Sequence, residues 1–250
     1  MTTRVSKSRW SAVLLPTLLA VLAPVGATAQ IPTSKDAEGK KIRNALFVVV
    51  DGVYNSELMA PYDVLQHSIF RDESDYVATA VVSPDGEPVT TFEGLVVDAH
   101  YSFATAPEVD ILIIPSTDGS LDRDLEDKVY MGWVKKAVAE AEWVITVCDG
   151  AFPLAATGVL DGRVATTYPG DREQLAEMFP KVDVRDDVRM VVDGKYVTSV
   201  GGGMSYEPAF WLVEHIYGVE HARDSARGLV WPWDLSTLPH LVVDRSEADN

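Results

Sequence analysis

Cys148 is the only cysteine in the 250-residue sequence, and it directly follows an apolar, strand-like run from Trp143 to Val147. Two small residues, Gly150 and Ala151, then open a stretch with helical character. A residue at a tight turn from strand to helix projects its side chain from the sheet edge, and the helix N-terminus beyond it favours a thiolate. The pattern therefore predicts a nucleophilic thiol held in an elbow. The alternative is a buried cysteine that packs as a small apolar side chain.

Other polar residues follow two further apolar runs. The run at 45–50 leads into a predicted helix that contains Glu57, and the run at 110–115 is followed by Ser116 and Thr117. In open sheets of parallel strands, binding sites form at the carboxyl ends of the strands. We therefore expect these side chains and the elbow cysteine to share one edge of a sheet.

Strand-like and helix-like segments alternate along the chain. Continuous apolar runs are typical of strands buried on both faces, as in parallel sheets, and Asp193-Gly194 is a strong hairpin signal. Strands are predicted at 45–50, 76–83, 110–115, 143–147, 163–167, 189–192 and 195–200, and helices at 56–67, 121–141, 152–158, 174–179 and 206–217. The predicted fold class is α/β, a doubly wound, mostly parallel sheet sandwiched by helices.

Two stretches of the sequence resemble the ThiJ/PfpI superfamily, the class I glutamine-amidotransferase-like proteins. Residues 146–169, TVCDGAFPLAATGVLDGRVATTYP, are similar to the elbow, the helix and the strand end that follow one another in that family. Residues 51–65, DGVYNSELMAPYDVL, are similar to the segment that supplies its acidic partner for the thiol. The resemblance extends over about residues 44–219 and implies a flavodoxin-like fold, with the glycine turn at 201–203 close to the elbow.

The resemblance implies specific roles for two residues. Cys148 would be the nucleophile, and Glu57 the acid that hydrogen-bonds to it or shares a proton with it. A protonated carboxyl can donate to a thiolate, whereas an ionised carboxylate would repel it. Taken alone, Glu57 would more often be a solvated helix residue.

Three places depart from the family pattern. Tyr168 stands where many relatives have histidine, and neutral tyrosine is a poor base at neutral pH. Ser116 and Thr117 stand where the family usually has paired glycines that help to form an oxyanion hole. Asp149 follows the cysteine, where relatives that hydrate isonitriles carry a hydroxyl residue. Asp149, Ser116, Thr117 and Tyr168 are the predicted substrate-binding or oxyanion residues, with Tyr168 a hydrogen-bond donor.

Two hypotheses for function follow. The first is a cysteine-dependent enzyme that acts on a small electrophile such as an amide, a nitrile or a reactive carbonyl compound. The second is a non-catalytic sensor of redox state or of a small ligand, which has kept the elbow but lost the family histidine. Oxidation of Cys148 by peroxide favours the sensor, and turnover of small electrophiles favours the enzyme.

The N-terminus has the pattern of an export signal. A basic start precedes an apolar run at 12–25, and a small-residue cleavage motif ends at Ala29. The run falls short of the about 20 apolar residues that a membrane span needs. The predicted organisation is a signal peptide at 1–29, a flexible leader at 30–42, one α/β domain at 43–235 and a C-terminal tail at 236–250. The predicted location is outside the cytoplasm, periplasmic or secreted, with no stable membrane anchor.

The charge and the histidines restrict the partners. A formal net charge of −17 argues against nucleic acid as a partner. The five histidines match no metal-binding motif, so neither a metal nor another cofactor is predicted. The expected partner is a small-molecule substrate or ligand. A homodimer is also predicted, because relatives assemble near the elbow and because Trp231 and Trp233, near the C-terminus, are costly to leave in water.

Overall fold

The fold is built on one sheet of eight strands, seen in a computed structural model that describes residues 41–245. Its order is β12-β10-β11-β7-β6-β1-β2-β5, with two short two-stranded sheets, β3-β4 and β8-β9, beside it. The strands are β1 Arg43–Val48, β2 Val77–Ser83, β3 Val89–Thr90, β4 Val96–Val97, β5 Tyr101–Ser102, β6 Ile111–Ile114, β7 Trp143–Val147, β8 Val164–Ala165, β9 Asp183–Val184, β10 Met190–Asp193, β11 Tyr196–Ser199 and β12 His240–Val243. Only the β10–β11 hairpin pairs antiparallel within the large sheet.

Helices cover both faces of the large sheet. They are α1 Asn55–Gln66, α2 Arg123–Glu126, α3 Lys128–Glu140, α4 Ala151–Ala156, α5 Arg172–Met178, α6 Tyr206–Tyr217 and α7 Val219–Gly228. Apolar residues of α1, α6 and α7 pack on one face, and those of α3, α4 and α5 pack on the other. The predicted doubly wound, mostly parallel α/β fold is therefore confirmed.

Strand β1 shows how the sequence produces two cores. Ala45 and Phe47 belong to the core beneath α1 and α6, whereas Leu46 and Val48 belong to the core beneath α3 and α4. Successive side chains of a strand point to opposite faces, so a strand covered on both sides must be apolar throughout. This requirement explains the uninterrupted apolar runs in the sequence.

Helix α7 and the short strands β3, β4, β5 and β9 were not expected from the sequence, and three expected segments take a different form. The helix expected at 121–141 is divided at Asp127, whose carboxylate accepts from the backbone N–H groups of Val129 and Tyr130 and so starts a new helix. The strand expected at 163–167 shortens to β8, outside the large sheet. The segment at 236–250, expected to be a tail, contributes β12, which pairs with β10 at the sheet edge.

Trp231 and Trp233 pack on their own chain. Trp231 stacks on Tyr206 with ring centroids 4.7 Å apart, and Trp233 stacks on Phe210 at 5.3 Å. Trp233 is 8% exposed, and its Nε1 donates to Glu214 Oε2 at 2.8 Å. These contacts remove the argument that the tryptophans need a partner subunit. The homodimer stays a prediction, which light scattering at physiological salt can test.

Trp233→Phe should lower the free energy of unfolding by about 2 kcal/mol, because the carboxylate of Glu214 loses its indole donor. Chemical denaturation measures the change. Glu214→Gln is the matched variant, since its amide oxygen can still accept from Trp233, and it should cost less. Equal losses in the two variants would show that the hydrogen bond contributes little.

Two sequence-based predictions fall outside residues 41–245. They are the signal peptide at 1–29 and nearly all of the leader at 30–42. Within the part that the structure describes, no helix is both long and apolar enough to cross a membrane.

Candidate active site

Cys148 lies in a strained elbow at the carboxyl end of β7. It is the first residue of a single 3-10 turn, Cys148–Gly150, that leads directly into α4. Its φ of +56° is unusual for any residue other than glycine, and among residues 41–245 only Val230 shares that feature. The side chain is 6% exposed. Strain of this kind persists where the surrounding structure holds the backbone in place, and it is concentrated at functional sites.

Two glycines make room for the elbow. A Cβ at Gly150 would lie 1.9 Å from the carbonyl oxygen of Ile114, which is the last residue of β6. A Cβ at Gly201 would lie 2.4 Å from Cβ of Cys148, and Gly201 also has a φ of +73°. The glycine turn therefore packs directly against the cysteine backbone. This contact confirms the close approach expected from the sequence.

Glu57 faces the sulfur from the first turn of α1. It is 4% exposed and in hydrogen-bond contact with the thiol of Cys148. Its Oε2 accepts from the backbone N–H of Ser116 at 3.2 Å, and its Oε1 accepts from that of Gly202 at 3.4 Å. The loop after β6 and the glycine turn thus hold this carboxyl group of α1 beside the cysteine. The carboxyl lies where a proton acceptor for the thiol is needed.

The electrostatics of the thiol differ from the sequence-based expectation. Burial first, and then the charges of Glu57 and Asp149, raise the pKa of the Cys148 thiol above its ordinary value, although the backbone N–H of Asp149 opposes this. Burial also raises the pKa of the Glu57 carboxyl. The expectation that a helix N-terminus favours the thiolate is contradicted, because α4 is short and two carboxyls adjoin the sulfur. The charge of an ionised Glu57 therefore favours the protonated thiol at rest.

Asp149 is a second buried carboxyl beside the sulfur. It is 8% exposed, and its Oδ2 lies 3.8 Å from Sγ of Cys148. The hydroxyl of Thr167 lies 2.9 Å from Asp149 Oδ1 and 2.9 Å from the carbonyl oxygen of Cys148. Asp149 is also in hydrogen-bond contact with Asp171. Burial first, and also the charges of Asp171 and Glu57, raise the pKa of Asp149 to about 7.

Ser116 and Thr117 lie beside the elbow, as expected, but their backbone N–H groups already have acceptors. That of Ser116 donates to Glu57, and that of Thr117 donates to Oγ of Ser120 at 2.8 Å. The hydroxyl of Thr117 donates to Asp124. The oxyanion role of these residues stays a prediction, and it would require the N–H groups to leave their present acceptors.

Tyr168 is placed at the surface. Its side chain is 47% exposed, and its ring lies so close to Gly170 that a Cβ there would be 2.8 Å from a ring carbon. Its carbonyl oxygen accepts from the backbone N–H of Asp171 at 3.0 Å. The predicted role of Tyr168 as a donor to a ligand stays a prediction.

Sequence reasoning missed three residues that the structure brings to the site. Thr167 and Asp171 contact Asp149. Tyr54, immediately before α1, is near enough to Cys148 and Glu57 for their charges to act on its phenol. Burial first, and then those charges, raise the pKa of Tyr54. Its ring packs on Phe92 with centroids 4.7 Å apart. Asp171 could have been noticed as the start of a helix, because aspartate is a common residue immediately before the first helical turn. Across 41–245, histidine, cysteine and carboxylate side chains form no group that could hold a metal ion.

Comparison with known proteins gives a consistent result. The model of the DJ-1/PfpI family matches residues 43–215. The isonitrile hydratase of Pseudomonas putida is 29% identical over 207 residues, covering 80% of this chain and 86% of the relative. Protein DJ-1alpha of Drosophila melanogaster is 25% identical over 205 residues, covering 80% of this chain and 89% of the relative.

Solved structures share the fold. The crystal structure of Drosophila melanogaster DJ-1beta superposes with a TM-score of 0.67 at 24% identity, covering 77% of this chain and all of the other. A ThiJ/PfpI family protein from Pseudomonas syringae has a TM-score of 0.69 at 21% identity, covering 88% of this chain and 84% of the other.

Proposed function

The chain belongs to the DJ-1/PfpI family, and on that premise we propose that it is a cysteine-dependent enzyme acting on a small electrophile. The electrophile carries a carbon atom multiply bonded to oxygen or nitrogen, as in an amide, a nitrile or a reactive carbonyl compound. The isonitrile hydratase relative adds isonitriles to the compounds worth testing. One observation carries the proposal: a cysteine in a strained elbow and a glutamate that acts on its thiol are buried together.

The geometry supports a simple first step. The thiol of Cys148 holds its proton at rest, so attack requires a base beside the sulfur. Glu57 is in hydrogen-bond contact with that thiol, and its raised pKa makes it a better proton acceptor than an ordinary carboxylate. As sulfur bonds to the electrophilic carbon, the thiol proton moves to Glu57. A nitrile or an isonitrile gives an imidate-type thioester at this step, an amide expels ammonia to leave a thioester, and a 2-oxoaldehyde gives a hemithioacetal that becomes a 2-hydroxy thioester when a proton moves between its two carbons. Water then cleaves the C–S bond, and the sulfur takes back the proton held by Glu57.

A panel of small electrophiles tests this function. Purified protein is incubated with a 2-oxoaldehyde, an aryl isonitrile, an aliphatic nitrile and a primary amide, and product formation is followed by chromatography. We expect multiple turnovers of at least one class. Stoichiometric consumption without turnover for every class would contradict an enzyme.

The second candidate, a redox sensor, makes a different prediction. The thiolate is the form of cysteine that attacks peroxide, and the raised pKa of Cys148 keeps its thiolate scarce at neutral pH. We therefore expect slow oxidation of Cys148 in a peroxide titration followed by intact mass. Rapid, stoichiometric conversion of Cys148 to the sulfinic form would favour the sensor.

Glu57→Gln should change two assays in opposite directions. Turnover should fall roughly 10²- to 10⁴-fold, because the base that accepts the thiol proton is gone. Alkylation of Cys148 by iodoacetamide at pH 7 should rise severalfold, because a charge that raises the pKa of the thiol is also gone. A fall in both rates would instead show that Glu57 favours the thiolate. Glu93→Gln is the control, because Glu93 is exposed and its carboxylate accepts from the backbone N–H of Asn55.

We also propose that the protein acts after export, with residues 1–29 removed. The support is the basic, apolar and small-residue pattern of that segment. Intact mass of the protein recovered from the extracytoplasmic fraction tests it, and a mature chain should begin at Gln30. A full-length mass confined to the cytoplasm would contradict export.

A further inference from the structure

The chain has two buried carboxyls beside one thiol, and the proposed first step uses only Glu57. Asp149 remains, with its Oδ2 at 3.8 Å from Sγ and its side chain 8% exposed. A buried carboxyl is costly unless it is paired or holds a proton. Its contacts are the hydroxyl of Thr167, the thiol of Cys148 and the carboxyl of Asp171, and none of these is a cation that would hold Asp149 ionised.

Asp149 is held in a defined orientation. The hydroxyl of Thr167 fixes Oδ1 at 2.9 Å and also lies 2.9 Å from the carbonyl oxygen of Cys148. With Oδ1 held in this way, Oδ2 is the oxygen turned toward the sulfur. An atom two bonds from Sγ in a covalent adduct therefore falls within hydrogen-bond reach of Asp149.

Asp171 supplies the second half of a carboxyl pair. It lies just before α5, where its backbone N–H donates to the carbonyl of Tyr168, and its side chain is in hydrogen-bond contact with Asp149. Two carboxyls in contact cannot both ionise readily, so the pair retains one proton. The neighbouring cation, Arg172, is directed to Thr166 and to the carbonyls of Asp186 and Val188.

The adduct needs a proton from such a group. The N–H groups of Ser116 and Thr117 donate to Glu57 and Ser120, so neither is free to stabilise an oxyanion in this arrangement. The phenol of Tyr54 is a poor acid, because its pKa is raised from an already high value. Glu57 must be ionised to accept the thiol proton in the same step, so Asp149 is the other carboxyl placed near Sγ that can supply one.

We propose that Asp149 and Asp171 share one proton, which Asp149 delivers to the adduct as Cys148 attacks, so that this pair is the general acid of the reaction. The inference rests on the proposed function. Sulfur bonds to carbon, the carbon–heteroatom π bond breaks, and its electron pair moves to the heteroatom, which takes the proton from Asp149. The thiol proton goes to Glu57. When water later cleaves the C–S bond, it returns one proton to the pair, and the departing sulfur takes back the proton held by Glu57.

The groups facing Asp149 predict a bell-shaped pH profile. They are Cys148, Glu57 and Tyr54 on the side of α1 and the elbow, and Asp171 before α5. Activity needs Glu57 ionised and Asp149 protonated. It should therefore fall as the pH drops through the raised pKa of Glu57, and also as the pH rises through the pKa of Asp149, about 7.

Variants of the pair separate its role from a structural one. Asp149→Asn should lower turnover roughly 10²- to 10⁴-fold and abolish the basic limb of the profile, which is the fall in activity at high pH. The same variant should speed the alkylation of Cys148 by iodoacetamide, because that reaction needs no proton donor and a charge that raises the pKa of the thiol is gone. Asp171→Asn should move the basic limb to lower pH, because a charge that retains the proton is lost. Asp187→Asn, an exposed carboxyl paired with Arg185, should leave the profile unchanged. A basic limb that persists in Asp149→Asn would overturn the inference.

Infrared spectroscopy tests the pair without turnover. The wild-type spectrum minus that of Asp149→Asn should contain a carboxylic-acid C=O band that disappears as the pH rises through about 7. Titration of that band at the pH of an ordinary aspartate, near 4, would overturn the inference whatever the enzyme turns over. If the band titrates at the expected pH but no electrophile is turned over, the proposed function and the delivery of the proton are overturned. The sharing of one proton by Asp149 and Asp171 then still stands.

Discussion

Cys148→Ser should lower turnover of the best electrophile roughly 10⁴-fold or more, with the fold intact. A serine hydroxyl is nearly the same size as the thiol, so the elbow and the contact with Gly201 can persist. The hydroxyl is far less acidic, and Glu57 is too weak a base to activate it. Steady-state kinetics measure the loss, and circular dichroism with thermal unfolding checks the fold.

A cysteine-independent activity would give a different result. If Cys148→Ser retained more than about a tenth of the wild-type rate, attack by sulfur could not be the chemical step. Ser199→Ala is the matched control, because this buried hydroxyl donates to the carbonyl of Thr146 in β7 and so tests disturbance of the same strand. It should cost stability without abolishing turnover.

Gly150→Ala should lower the free energy of unfolding by about 3 kcal/mol or more, because its Cβ would meet the carbonyl oxygen of Ile114 at 1.9 Å. A backbone atom cannot move aside as the end of a flexible side chain can. The elbow or the end of β6 must shift, and turnover should fall as well. Denaturant unfolding measures the stability, with a drop in melting temperature of about 6 °C or more.

Gly132→Ala is the matched control for this substitution. Gly132 lies in α3, and a Cβ there would have no atom within 4 Å. The change should stabilise the protein by up to about 1 kcal/mol, through helix propensity alone. Similar stabilities for the two variants would show that the elbow tolerates a side chain at 150.

The sequence alone predicted much of the fold. The apolar runs of β1, β6 and β7 identify strands buried on both faces. Successive side chains point to opposite faces of the sheet, and because helices cover both faces, few positions in these strands are left for a polar side chain. The hairpin followed from Asp193-Gly194, and its β-strands are those observed. Strand β12 was missed because its residues are only partly buried at a sheet edge, where the apolar signal is weak.

The sequence identified the main site residues but not their protonation states. Cys148 and Glu57 were found through local patterns and a family resemblance, and the structure brings them together. The protonation of the thiol depends on burial, on the adjacent Asp149 and on Glu57 from α1. The local pattern contains Asp149, but it encodes neither the burial of the sulfur nor the approach of Glu57. Asp171 lies 22 positions after Asp149, so their contact arises only from the return of the chain after β8.

Trapping the covalent adduct tests the central claim most directly. Wild-type protein is mixed with an excess of the best electrophile, quenched in acid during turnover, and analysed by intact mass and peptide mapping. The account predicts one substrate-derived mass increment on the peptide that contains Cys148, absent from Cys148→Ser. Turnover with no adduct, or with the adduct on another residue, would contradict it.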